Sequence, residues 1–115
     1  MDGTSDTRIL VATEPRAYRE VMAGALQELR PRVEVVVVEP DDLDAALTRL
    51  RPHLVVSSRS VETLLDCPIA WVLLYPSGAT TALICVDGRH ITLDDLPFER
   101  LLSLVDEVCD LPRAV

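Results

Sequence analysis

The sequence predicts an α/β protein, a three-layer sandwich of four parallel strands extended by an antiparallel C-terminal hairpin. Three observations predict it. Apolar runs at 8–13, 33–38 and 54–57 each end in a polar cluster: Thr13-Glu14-Pro15, Glu39-Pro40-Asp41 and Ser57-Ser58-Arg59-Ser60. Between these runs lie stretches with apolar residues at helical spacing, the signature of β/α units. After the fourth run, only Pro76-Ser77-Gly78-Ala79 precedes the next one, too short a link for a helical crossover.

The first strand, 8–13, leads into a helix over 15–30. There Ala17, Tyr18, Val21, Met22, Ala25, Leu26 and Leu29 form one stripe that can lie on the sheet. Pro15 suits the first helical turn and Pro31 closes the pattern. The second strand, 33–38, is almost continuously β-branched, as in strands covered on both faces, though it need not be central. A second helix over 41–51 takes Asp41 or Asp42 as its cap and Leu43, Ala46, Leu47 and Leu50 as its buried stripe. The third strand, 54–57, leads to a short helical turn at 60–65 and a fourth strand at 69–75. The stretch between them just meets the length of about a dozen residues that a parallel crossover needs. The four-residue link then predicts that 80–86 runs antiparallel. Asp87-Gly88 tolerates the positive φ angles of a tight turn, so 89–93 pairs back as a sixth strand. The last helix, 97–110, buries Phe98, Leu101, Leu102, Val105 and Val108.

Composition bounds the rest. A chain of 115 residues, 49% hydrophobic, is one domain over 1–115 with a flexible start at 1–7 and a single core. One Trp, two Tyr and one Phe make that core aliphatic. A net charge of −8 and a pI near 4.6 argue against nucleic acid or an anionic membrane as partner, since both attract a basic face. All 11 basic residues are arginine. Cys67, Cys85 and Cys109 lie far apart without metal-ligand spacing, which predicts buried thiols in a reducing compartment and no metal or cofactor. The first seven residues lack the basic start and apolar stretch of a secretion signal, and no apolar run approaches the roughly 20 residues that cross a bilayer. The expectation is a cytoplasmic protein.

The strand ends carry a resemblance. Arg8-Ile9-Leu10-Val11-Ala12-Thr13-Glu14-Pro15 resembles the opening strand of bacterial response-regulator receiver domains, which ends in paired acidic residues that hold magnesium. Arg51-Pro52-His53-Leu54-Val55-Val56-Ser57-Ser58 resembles the strand that ends in their phosphorylated aspartate. The resemblance extends as far as Tyr75 and implies a flavodoxin-like fold with strand order 2-1-3-4. It also implies a degenerate member: Thr13 stands at one acidic position, Ser58 at the aspartate, and the chain has no lysine for the family's basic role. Part of the surface through which receivers dimerise and signal is absent as well, because no helix separates strands four and five.

Open α/β sheets bind ligands beyond the carboxyl ends of their strands, so Thr13, Glu14, Glu39, Ser58, Arg59 and Tyr75 form the candidate rim. Glu14 and Arg59 are either an internal charge pair or two solvated residues. The second reading is favoured because surface pairs are worth about 0–1 kcal/mol. Ser60 caps the following turn more readily than Ser57 to Ser60 form an anion site. Glu39, Asp41, Asp42 and Asp44 read as helix-dipole partners rather than cation ligands. No serine has a base at hand, since His53 belongs at the opposite end of the sheet and His90 on a solvated strand. The chain is therefore expected to be non-enzymatic, working by protein contact and as a homodimer through the hairpin and last helix. The alternative is a small-ligand or nucleotide site on the rim. For Ile84, Val86, Ile91 and Leu93, cover by a second chain and cover by the last helix stand level.

Overall fold

Alternation along two central strands decides which helix layer each side chain meets. The structure, a computed structural model, describes residues 7–58, 70–74, 81–86 and 89–110, with Asp110 through its backbone alone. Its elements are β1 (Arg8–Ala12), α1 (Arg16–Leu29), β2 (Glu34–Val37), a 3-10 turn (Pro40–Asp42) and α2 (Leu43–Leu50). They continue with β3 (Leu54–Ser57), β4 (Ala70–Leu74), β5 (Ala82–Val86), β6 (Arg89–Leu93) and α3 (Phe98–Asp110). The class is α/β, and the six strands form one mixed sheet in the order β2-β1-β3-β4-β5-β6. The pairs from β2 to β4 are parallel. The chain reverses after β4, and both β4–β5 and β5–β6 are antiparallel.

Ile9 and Val11 of β1 and Leu54 and Val56 of β3 face α1 and α3, packing with Met22, Ala23, Leu26, Leu101, Leu104, Val105 and Val108. Leu10, Ala12 and Val55 face the other way, toward Leu43, Ala46 and Leu47 of α2. The helical turn expected over 60–65, Cys67, the 76–79 loop and the Asp87-Gly88 turn lie outside the described residues. No helix among the described residues is long and apolar enough to cross a membrane.

Three details differ from the sequence expectation, and a fourth bears on an alternative that the sequence left open. The buried face of α1 is Arg19, Met22, Ala23 and Leu26, so the helix is rotated and leaves Tyr18, Val21 and Leu29 exposed at 42%, 70% and 48%. Polar anchors set that rotation. Arg19 reaches under the sheet's end, and the Gln27 side-chain amide donates to the Val33 carbonyl at 2.6 Å and accepts from the Val35 N–H at 3.1 Å. Secondly, β2 takes the edge position that the order 2-1-3-4 implies, but it is not covered on both faces: its residues are half-buried or exposed, Val37 at 45%. Thirdly, Asp42 is the cap residue of α2 but makes no side-chain cap hydrogen bond, the chain entering the helix by the 3-10 turn. Lastly, Ile84 and Val86 are buried, while Ile91 and Leu93 pack half-buried against the core that α3 closes. Leu104 joins the buried face of that helix.

Two arginines pin the last helix. Arg30 Nε and Nη2 donate to the two carboxylate oxygens of Asp106 at 2.7 and 2.9 Å, a fork across the ends of α1 and α3. Arg89 of β6 pairs with Glu107. At the end of α2, Arg51 adopts the left-handed conformation, φ 48° and ψ 63°, while its N–H donates to the Leu47 carbonyl. Glycine is the usual occupant of that conformation because a Cβ there is strained.

Both features yield measurable consequences. The hydrogen bond from Arg30 holds the Asp106 carboxyl below its usual range, against desolvation, which pushes it up. A carboxyl lowered on folding contributes stability that is present above its unfolded value and lost as pH falls through its folded one. Asp106→Asn is therefore expected to lower stability at neutral pH and to flatten its decline in acid, read by denaturant unfolding over a pH series. An acid limb as steep as wild type would contradict this. Arg51→Gly is expected to raise stability by about 0.5–1 kcal/mol, strain relief being offset in part by the freer unfolded chain. A lower unfolding midpoint in the same measurement would contradict it.

Candidate functional site

Parallel register brings the strand ends level. Ala12 of β1 pairs with Ser57 of β3, so the next residues meet directly and the Glu14 N–H donates to Ser58 Oγ at 3.0 Å. On the other side, the Val38 N–H donates to the Val11 carbonyl, which carries Glu39 to the same end. Thr13, Glu14, Glu39 and Ser58 thus share one rim.

The centre of this rim is a buried cation that sequence reasoning did not pick out. Arg19 is 3% exposed. Its Nη1 donates to the Thr13 carbonyl at 3.2 Å and its Nη2 to Glu39 Oε2 at 3.3 Å. A buried guanidinium is costly unless paired and hydrogen-bonded, and these two partners come from the ends of β1 and β2. Glu39 itself is 62% exposed, so only the arginine depends on the pair for compensation. Two buried polar atoms at the same place, Thr13 Oγ1 and Arg19 Nε, have no partner among the described residues. The signal for Arg19 was its spacing: 19, 22, 23 and 26 lie on one helical face, and the first of these is charged.

Arg59 and Tyr75, the remaining candidates, lie outside the described residues. So does the Glu14–Arg59 pair. The acidic residues do not converge, as Glu39 is engaged by Arg19 while Asp41 and Asp42 sit on the 3-10 turn and Asp44 opens α2. Among the described residues no group of three potential metal ligands occurs. His53 lies at the opposite pole, its N–H donating to the Arg8 carbonyl at 2.8 Å and its Nδ1 accepting from the Arg8 N–H at 3.0 Å. His90 is exposed on β6 with its ring 6.2 Å from that of Trp71. Cys85 and Cys109 are half-buried free thiols.

Comparison of the chain with protein-family models, curated proteins and solved structures gives no match.

The rim's asymmetry has a direct test. Removing the carboxylate strands a buried charge, whereas replacing the arginine by an apolar side chain of similar length removes charge and orphan nitrogen together and frees Glu39 to water. Glu39→Ala is expected to cost about 1–2 kcal/mol, and Arg19→Met less than about 1 kcal/mol. Equal losses in urea unfolding would show that Glu39 does not compensate the guanidinium.

Proposed function

We propose that this chain is a non-enzymatic, receiver-like regulatory module that works by protein contact. The observation that carries the reading is Arg19, because the chain's own buried cation takes the place at the strand ends where a receiver gathers metal and phosphate. Ser58, at the position of the phosphorylated aspartate, accepts the Glu14 N–H instead. The parallel run β2-β1-β3-β4 and its rim are consistent with that descent. Serine at the aspartate position cannot form an acyl phosphate, and the chain has no lysine.

The contact surface follows from the rotation of α1. Tyr18, Val21 and Leu29 are exposed on that helix, and Tyr18 and Val21 line a cavity of about 260 Å³ together with Leu74, Leu96 and Phe98 at the start of α3. Exposed apolar side chains gathered beside a cleft favour association. The homodimer read from the sequence as using the hairpin and last helix is placed by this proposal on α1 and α3, since Ile84 and Val86 of the hairpin are buried and Ile91 and Leu93 pack against the core.

A second reading is favoured by one observation, that Thr13 Oγ1 and Arg19 Nε have no partner among the described residues. Buried polar atoms of this kind are satisfied by an ordered water or a small polar ligand. A rim ligand would stabilise the fold by mass action.

One experiment separates the readings. Acetyl phosphate with magnesium is expected to leave the amide spectrum of Glu14 and Ser58 unchanged, and light scattering is expected to show a concentration-dependent dimer that Val21→Glu abolishes. Phosphorylation at the rim would overturn the module reading. Thermal stabilisation by nucleotides at the rim, with a monomer at every concentration, would replace it by the ligand reading.

A further inference from the structure

The pole opposite the rim concentrates positive charge in an acidic chain. Arg8 at the start of β1, Arg49 in the last turn of α2 and Arg51 just beyond it line a cavity of about 280 Å³, together with Glu34, Leu50 and His53. Three arginines face one carboxylate there, whereas the whole chain carries −8. Arg8 is held in place: its Nε donates to Glu34 Oε1 at 2.8 Å and its Nη1 to the Leu50 carbonyl. A guanidinium has five N–H donors, so three on Arg8 remain unpaired among the described residues. Arg49 and Arg51 make no ion pair among the described residues. The guanidinium of Arg51 is moreover delivered by a backbone conformation that glycine would adopt without strain.

We propose that this basal pocket binds a small phosphate-bearing molecule. Guanidinium forks match phosphate oxygens bidentately and keep their charge at every physiological pH. Three of them around one cavity supply the charge that a dianion needs and that a single arginine lacks. The volume lies just below the usual range of about 300–1,000 Å³ for ligand pockets, which suits an isolated phosphate group with a short substituent rather than a nucleotide. The site lies at the amino ends of the strands and does not depend on the reading of the rim.

The test is calorimetric titration of the full chain at fixed ionic strength with inorganic phosphate, glycerol phosphate and succinate. Saturable binding of both phosphates, tighter than succinate, is the expected result. Arg49→Ala and Arg51→Gly are each expected to weaken it by roughly tenfold, the worth of a charge-assisted hydrogen bond. Arg100→Ala, on the exposed first turn of α3, is expected to leave it unchanged. Arg51→Gly is informative because glycine suits that backbone, so lost binding with undiminished thermal stability separates recognition from folding. Absence of saturable phosphate binding, equal affinity for succinate, wild-type affinity in Arg51→Gly, or an equal loss in Arg100→Ala would each overturn the proposal.

Discussion

The fold depends on the exclusion of water from both faces of β1 and β3. Ile9 to Ala12 and Leu54 to Ser57 have no accessible surface, so every polar side chain of these units is displaced to one pole or the other. At about 25 cal/mol per Å² of apolar surface, this burial is the large favourable term, and it leaves no freedom in register. A slip by one residue would send Ile9 and Val11 toward α2 and Leu10 toward α1. Both poles are therefore consequences of the same sheet. The rim collects Thr13, Glu14, Glu39 and Ser58, and the base collects Arg8, Arg49, Arg51 and His53.

Arginine does different work at each position because its surroundings differ. Arg19 is enclosed and its two partners offset a desolvation cost. Arg30 and Arg89 are partly open to solvent, where pairs are worth little individually. They orient α3 more than they stabilise it. Arg49 and Arg51 have no acidic partner among the described residues. That leaves their charge available, in contrast to Arg19, whose charge is consumed within the fold.

Much of the scaffold was legible because burial period and link length are local signals. The alternation of β1, β3 and β4, the reversal forced by a four-residue link, and the meeting of Glu14 with Ser58 all follow from strand lengths and polar strand ends. The misreadings share a physical cause. The apolar arc of α1 is wider than the sheet can cover, so counting apolar residues gave Tyr18, Val21 and Leu29 the place that Arg19 and Gln27 determine by hydrogen bonding. Hydrophobicity fixes that a helix packs. Directional bonds at its two ends fix how it is turned. The exposure along β2 was equally hidden, since a run of valines looks the same whether one face of a strand is covered or both.

A rim balanced by a covalently attached cation differs in kind from one balanced by a bound metal. A metal can leave and a phosphate can arrive, so such a rim has states that a ligand can select between. Arg19 cannot leave, and the Glu14 N–H is engaged by Ser58, a residue of the same rim. Under the proposed reading this end of the sheet has lost its switching role and serves to hold β1, β2 and β3 in register. Whatever regulates such a module must then act through groups that the fold leaves unsatisfied. Those groups are the apolar side chains of α1 beside α3 and the guanidinium groups at the opposite pole, each of which can bind without moving the sheet.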